Sequence, residues 1–315
     1  VLKIKKRKKQ EMNNMSIKHE LYLLTQDGLI EYIKGVLNSK NIKYKRDKYG
    51  NFWSFRFKGK PVFISHLDTV CGKLDENTPI VEVEGMLKRK GGGILGADDR
   101  AGVNLILNHI EDINFIFTLD EEIGCVGVKE LSRDMVFFGE LVDYEISCGI
   151  EFDRKGRSDI IGSDHGYCNK DLSEAVQKVL EPLSYKENTG VYTDVDYLME
   201  YIPCVNLSCG YFNPHSFNEF LDIEFFKELD KYVIKLAEIE GEFTLADPEN
   251  VGMSGLFGYS KKTYRTDYSH EDYQFDEVYV SCCGKFVHPA DVVRVGKMDC
   301  CIDCVEQAYI DYNCF

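Results

Sequence analysis

Three short stretches of this chain carry side chains that bind metals or move protons. They are His66-Leu67-Asp68-Thr69, Gly96-Ala97-Asp98-Asp99-Arg100-Ala101-Gly102 and Glu121-Glu122-Ile123-Gly124. Zinc takes imidazole nitrogen and carboxylate oxygen, and a catalytic zinc keeps a position open for water. Two such ions close together need a shared ligand, which a carboxylate with its two oxygens can be. Asp98 and Asp99 also admit a plainer role, because aspartate caps helices and suits the positive end of the helix dipole. The neighbouring stretches decide between the two: a lone cap has no reason to come with His66-x-Asp68 before it and Glu121-Glu122 after it.

The elements that must hold these residues are legible around them. Pro61-Val62-Phe63-Ile64-Ser65 is an apolar run short enough for a buried strand, and it ends at His66. Ile113-Asn114-Phe115-Ile116-Phe117 is another, ending near Glu121. Between them, Ala101, Val103, Leu105, Ile106, Leu107 and Ile110 recur at helical spacing. In open α/β sheets ligands bind beyond the carboxyl ends of the strands, where all three clusters fall. Helices are expected over residues 19–39, 171–183, 194–201 and 224–239, and from Cys125. A hairpin is expected over 42–57, and further strands over 79–88, 144–153 and 203–210. Repeated strand–helix alternation predicts an α/β three-layer sandwich with a mixed, largely parallel central sheet.

Together the three motifs resemble the signature of the co-catalytic di-zinc exopeptidases, the group of peptidase T, carboxypeptidase G, and the tetrahedral and leucyl aminopeptidases. The resemblance runs from about Phe63 to about Phe226. It implies two zinc ions, with His66 on one, Asp98 bridging both and Glu122 on the second. Asp153 would complete the shell of the His66 metal. His215, in Asn213-Pro214-His215-Ser216-Phe217-Asn218-Glu219, would complete the other, with His165 as its competitor. It further implies that Asp68 orients His66, that Glu121 acts as general base and then general acid, and that the Asp98–Asp99 peptide is cis. Thr193-Asp194 resembles a substrate-side pair of peptidase T. His19, His109 and His270 are expected to be structural. Many relatives insert a dimerisation lid between the last carboxylate ligand and the final histidine. Here only residues 154–214 lie between Asp153 and His215, which implies a bare catalytic core.

Composition bounds the rest. A chain of 315 residues with a net charge of −15 has no bulk attraction for nucleic acid. Residues 1–15 hold a basic run, Lys3 to Lys9, read as a disordered tail. No apolar run reaches membrane-spanning length, and no signal-peptide core follows the basic start. Of twelve cysteines, Cys71, Cys125, Cys148, Cys168, Cys204 and Cys209 are scattered singly, as reduced thiols would be, and six crowd the end. That asymmetry favours a reducing, cytoplasmic compartment and a metal cluster. The expected division is a catalytic domain over 16–246, a glycine-bearing linker over 247–258 and a small module over 259–315. There Cys283, His288, Cys301 and Cys304 have the spacing of a structural zinc site, with Cys282 and Cys300 as adjacent alternatives and disulfides as the other reading. The function expected is an aminopeptidase on short peptides. The alternatives are a deacylase of N-acyl amino acids, or an inactive core that presents its C-terminal finger to a protein partner.

Overall fold

Among the described residues twelve strands precede residue 247: β1 Lys45–Arg46, β2 Phe52–Ser54, β3 Val62–His66, β4 Ile80–Val83, β5 Met86–Arg89, β6 Asn114–Thr118, β7 Gly149–Arg154, β8 Asp159–Ile161, β9 Lys186–Asn188, β10 Cys204–Ser208, β11 Tyr211–Phe212 and β12 Phe220–Asp222. The structure is a computed structural model. It describes residues 17–70, 78–190 and 192–246, and the backbone of four short strands near the C-terminus. Eight strands form one sheet in the order β1-β2-β6-β3-β7-β10-β8-β9. Its centre, β6-β3-β7-β10, is parallel throughout. β1, β2 and β8 pair antiparallel at the margins, and β9 pairs parallel with β8. The mixed, largely parallel sheet is therefore present, and its central strands are buried along their length, as parallel strands covered on both faces must be.

Among the described residues eight helices cover it: α1 Gln26–Ser39, α2 Ala97–Asn108, α3 Val126–Leu131, α4 Met135–Asp143, α5 Lys170–Val179, α6 Val195–Leu198, α7 Ile223–Asp230 and α8 Val233–Ala237. Successive strand residues point to opposite faces, and the core divides accordingly. Phe63, Phe115, Phe117, Ile150 and Phe152 pack with side chains of α1, α2, α5, α7 and α8. Val62, Ile64 and Ile116 pack with side chains of α3, α4 and α6. A separate four-stranded sheet, β11-β12-β5-β4, carries the 79–88 segment as an antiparallel hairpin of two strands, with β11 before His215 and β12 after it. Residues 154–214 supply β8, β9, β10, α5 and α6 of the main sheet and its covering layers, and β11 of the smaller sheet.

Several helix boundaries differ from the sequence reading, each for a local reason. Residues 19–39 break into a 3₁₀ turn, His19–Leu23, and α1. The Leu24 carbonyl accepts from the Arg100 guanidinium, and Thr25 Oγ1 caps α1 by accepting from Gly28 N–H. Residues 224–239 split at Asp230, whose carbonyl accepts from His109 Nε2 at 3.0 Å in place of a helical amide. The helix at 171–183 starts at its Asn169 cap and ends at Val179. Pro182 has no N–H to continue it, and a 3₁₀ turn follows. Residues 144–148 precede β7 rather than joining it, because α4 runs to Asp143.

α2 is buried at every residue, and Gly102 is why it can lie so close to the sheet. A Cβ there would stand 2.5 Å from Asp99 Oδ2 and 2.7 Å from the Phe152 carbonyl oxygen. Gly102→Ala is expected to cost about 1–3 kcal/mol through overpacking, read as a lowered urea midpoint. An unchanged midpoint would refute that close approach.

The chain divides into two compact units, the second comprising Glu122–Gly124 with the C-terminal residues. The C-terminal unit contains two antiparallel pairs, Val278–Val280 with Lys285–Val287 and Val292–Val295 with Met298–Cys301. Cys301 is described only as strand backbone. Cys282, Cys283, His288 and Cys304, like the basic tail, Cys71, the 247–258 linker and His270, lie outside the described residues. The five singly placed cysteines that are described are free and buried. Among the described residues no helix is long and apolar enough to cross a membrane.

Candidate metal centre

β3 ends on His66, buried with its ring fixed at both nitrogens. Nδ1 lies 3.1 Å from Asp68 Oδ1, and Nε2 lies 3.1 Å from Asp98 Oδ1 and 3.6 Å from Asp153 Oδ1. An imidazole that gives its Nδ1 proton to a carboxylate keeps Nε2 as the donor to a metal, and the same carboxylate raises its basicity. Asp68 Oδ1 also accepts the backbone N–H of Glu121 at 2.9 Å, and the Asp68 carbonyl accepts from Arg100 at 2.7 Å. One carboxylate thus registers the end of β3 against the segment after β6.

Asp98 and Asp99 share a cis peptide bond and point to different tasks. Asp99 turns inward: its side chain accepts from Ser65 Oγ at 2.5 Å and from Gly102 N–H at 3.0 Å, the local capping role. Asp98 faces the imidazoles. While its Oδ1 meets His66, its Oδ2 lies 3.1 Å from His215 Nε2. His215 sits with a φ of 60°, an uncommon backbone region for a residue with a Cβ. Its side chain is 43% exposed, so one side of the cluster is open to solvent.

Asp153 lies at the end of β7. Its backbone N–H donates to Asn206 Oδ1 at 3.0 Å, and its two oxygens accept from Tyr211 Oη at 3.1 Å and Thr193 Oγ1 at 2.9 Å. The Thr193 hydroxyl lies equally near Glu151 Oε2, at 3.0 Å. Asp194 is fully buried and accepts from Thr118 Oγ1. The structure thus places Thr193 and Asp194 inside, behind Asp153. His165 lies elsewhere, edge-on to Tyr167 and accepting from Gly190 N–H at 3.3 Å. His19 meets Glu82, and His109 meets Asp230.

Among the described residues two sets of side chains bring ligand atoms within 4.8 Å of one another: His66, Asp98 and Glu122, and His66, Glu121 and Asp153. The donor set is imidazole and carboxylate, which suits zinc and its neighbours in the first transition row. The electrostatics agree. Burial pushes the Asp153 carboxyl up to about 6, helped by the Asp98 charge, and pushes Asp194 up to about 7. Burial, then Asp153, holds Glu151 well above the carboxylate range. Burial works to lower His66, but Asp153, Asp68 and Asp98 outweigh it and hold the imidazole well above its ordinary value. Burial opposes ionisation of Asp98 too, yet hydrogen bonds from His215 and His66 keep it well below the usual range. Close buried carboxylates of this kind favour a bound cation.

The metal-free chain should show this charge as a pH dependence. Between about 4, the ordinary aspartate value, and the folded values of about 6 and about 7, the folded state holds protons at Asp153 and Asp194 that the unfolded state has lost. Stability therefore falls as pH rises across that window. His66 acts in the same direction, since its extra proton in the folded state is lost as pH rises through its raised value. Asp98 has the opposite sign, but its contribution is lost only as pH falls below the window. Melting temperatures of chelator-treated protein should drop from pH 4 towards pH 7; a rise would contradict the charge arrangement.

Three residues of this centre have no role assigned from the sequence: Tyr211, Glu151 and Glu219, the last present only as the end of the motif around His215. The Glu219 carboxylate accepts four backbone N–H groups, from Leu95 at 2.7 Å, Gly96 at 3.0 Å, Ala97 at 2.8 Å and Asp98 at 3.3 Å. Its only trace in the sequence is its place four residues after His215.

No protein-family profile matches the chain. The uncharacterized protein YqjE of Bacillus subtilis (strain 168) is 39% identical over 84 residues, which is 24% of this chain and 22% of that protein. The match therefore spans less than a quarter of that relative's length. Solved structures align over far more. Aminopeptidase PepT from Bacillus cereus superposes with a TM-score of 0.57 at 16% identity, over 73% of this chain and 98% of that one. A tripeptidase from Staphylococcus aureus gives 0.58 at 17%, over 73% and 97%. An aminopeptidase from the archaeon Desulfurococcus kamchatkensis gives 0.53 at 13%, over 73% and 94%. At these identities the likeness is one of fold.

Proposed function

We propose, from the premise that this chain has the fold of the co-catalytic exopeptidases, that it is a di-zinc aminopeptidase acting on short peptides. The observation that carries the reading is Asp98, with one carboxylate oxygen 3.1 Å from His66 and the other 3.1 Å from His215. On this reading His66 and Asp153 hold one ion, His215 and Glu122 the other, and Asp98 serves both. Bound zinc would supply a Lewis acid and would lower the pKa of water towards about 7. The protein's own residues do the rest. Glu121 takes the proton released from water and returns it to the departing amine. Asp68 fixes the His66 ring and the Glu121 backbone together. Thr193 and Tyr211 hold Asp153 from two sides. The peptidases of like fold support the reaction class.

The reaction is tested with free-amine dipeptides, N-acetyl amino acids and C-terminally blocked dipeptides, each with zinc, manganese and cobalt. Cleavage confined to free-amine substrates is expected. Cleavage confined to N-acetyl amino acids would move the assignment to a deacylase. No turnover of any substrate by the metal-loaded chain would favour the inactive binding core.

The residues after 246 are proposed to form a separate module with its own structural zinc at Cys283, His288, Cys301 and Cys304. Deleting 247–315 should leave peptide hydrolysis largely intact. A shortened chain that is folded, metal-loaded and inactive would place the module in the active site.

A further inference from the structure

We infer that Glu219 is a positioning residue that holds two metal ligands in register, Asp98 at the start of α2 and His215 on the loop between β11 and β12. The inference rests on the proposed di-zinc reading and deepens it.

Glu219 is 1% exposed, and a buried carboxylate is costly unless its oxygens are well bonded. Here each oxygen takes two amides, Oε2 those of Leu95 and Gly96, Oε1 those of Ala97 and Asp98. Four consecutive N–H groups converge because Gly96 lies in the left-handed region, with φ 73°, and turns its neighbours' amides to one side. Such concave runs of amides bind anions, and here the anion is the chain's own side chain. Burial raises the Glu219 carboxyl, and the amides of Gly96, Asp98 and Ala97 pull against that. The last of the four amides belongs to Asp98, whose side chain spans the two imidazoles.

The other end of the device is the His215 loop. Glu219 N–H donates to the Ser216 carbonyl at 3.2 Å, and Ser216 Oγ donates to the Asn213 carbonyl at 2.7 Å. The Phe217 carbonyl accepts Gly93 N–H at 2.7 Å, a second tie between that loop and the segment leading into α2. His215 keeps its left-handed backbone between these anchors. A shift of Glu219 would therefore move Asp98 relative to His215, the separation that sets the second metal position.

The geometry fixes how substitutions should rank. In Glu219→Gln one oxygen becomes an NH₂ group facing two amide donors, so two of the four bonds go despite the equal size. Glu219→Asp is one carbon short and reaches one pair at best. The test is a cobalt(II) titration of the full-length chain. Visible bands report nitrogen and oxygen sites, and near-ultraviolet charge transfer reports any thiolate site. Asn169→Ala, which removes the cap on Leu172 N–H at the start of α5, serves as a stability control. Glu219→Gln should weaken core metal binding about 10- to 100-fold, the usual cost of losing a partner behind a metal ligand. It should alter the visible spectrum and lower kcat with KM little changed. The control should lower the melting temperature and leave the spectrum alone. If Glu219→Gln does not fold, Glu219→Asp is read in the same way. A Glu219 variant that loses stability like the control while binding cobalt with wild-type affinity and spectrum overturns the inference. A wild-type chain with no nitrogen–oxygen metal site overturns the di-zinc reading instead, so the two failures are distinguishable.

Discussion

Glu121→Gln should keep both core metals and its substrate affinity, and lose turnover. General acid–base catalysis contributes about 10²–10⁴-fold, and a group that serves both proton transfers should stand at or beyond the upper end. The neighbouring Glu122→Gln should fail differently, by weakening one metal site, with part of the activity restored by excess zinc. The geometry makes the comparison sharp. Glu121 brings an oxygen near the ligand atoms of His66 and Asp153, and Glu122 brings one near those of His66 and Asp98. The Glu121 backbone is pinned by Asp68, and its Oε1 takes the Cys125 thiol at 3.5 Å, so an amide can replace the carboxylate without releasing the segment. Metal stoichiometry and kcat measured together decide. A Glu121→Gln chain with two core metals and near-normal kcat removes Glu121 from the mechanism. One that has lost a metal makes Glu121 a ligand.

Asp98→Asn should be more damaging than the loss of any other single ligand. Asp98 approaches both imidazoles, one with each carboxylate oxygen, and an amide offers only one oxygen to share. Both ions should be lost or weakened, and hydrolysis should fall to the level of the metal-free chain. Asp99→Asn is the informative neighbour. Asp99 binds Ser65 and the Gly102 amide, so its substitution should lower the melting temperature while metal stoichiometry is retained. Equal metal loss in the two variants would mean that the adjacent aspartates do not divide these tasks.

The fold was legible because its centre consists of strong local signals. Val62–Ser65, Asn114–Thr118 and Cys204–Ser208 are short apolar runs, which fully buried parallel strands have to be. Residues placed just after such runs, His66 and Glu121–Glu122, could be assigned to one end of the sheet without knowing any contact. The splitting of Asp98 from Asp99 came only through the resemblance, since either aspartate suits a cap; in the structure Asp99 makes the capping bond to Gly102 and Asp98 faces the two imidazoles. Helix ends failed where a distant group competes for a carbonyl, as Arg100 does at Leu24 and His109 does at Asp230. Glu219 was hidden for a related reason. Its partners are backbone amides more than a hundred residues away, and backbone amides leave no mark in a sequence.

Anomalous diffraction from zinc-loaded crystals, recorded on both sides of the zinc edge, tests the central claim most directly. The account predicts two peaks flanking the Asp98 carboxylate, one beside His66 and one beside His215. A single peak, or none, at Asp98 in a zinc-saturated and active protein would contradict it.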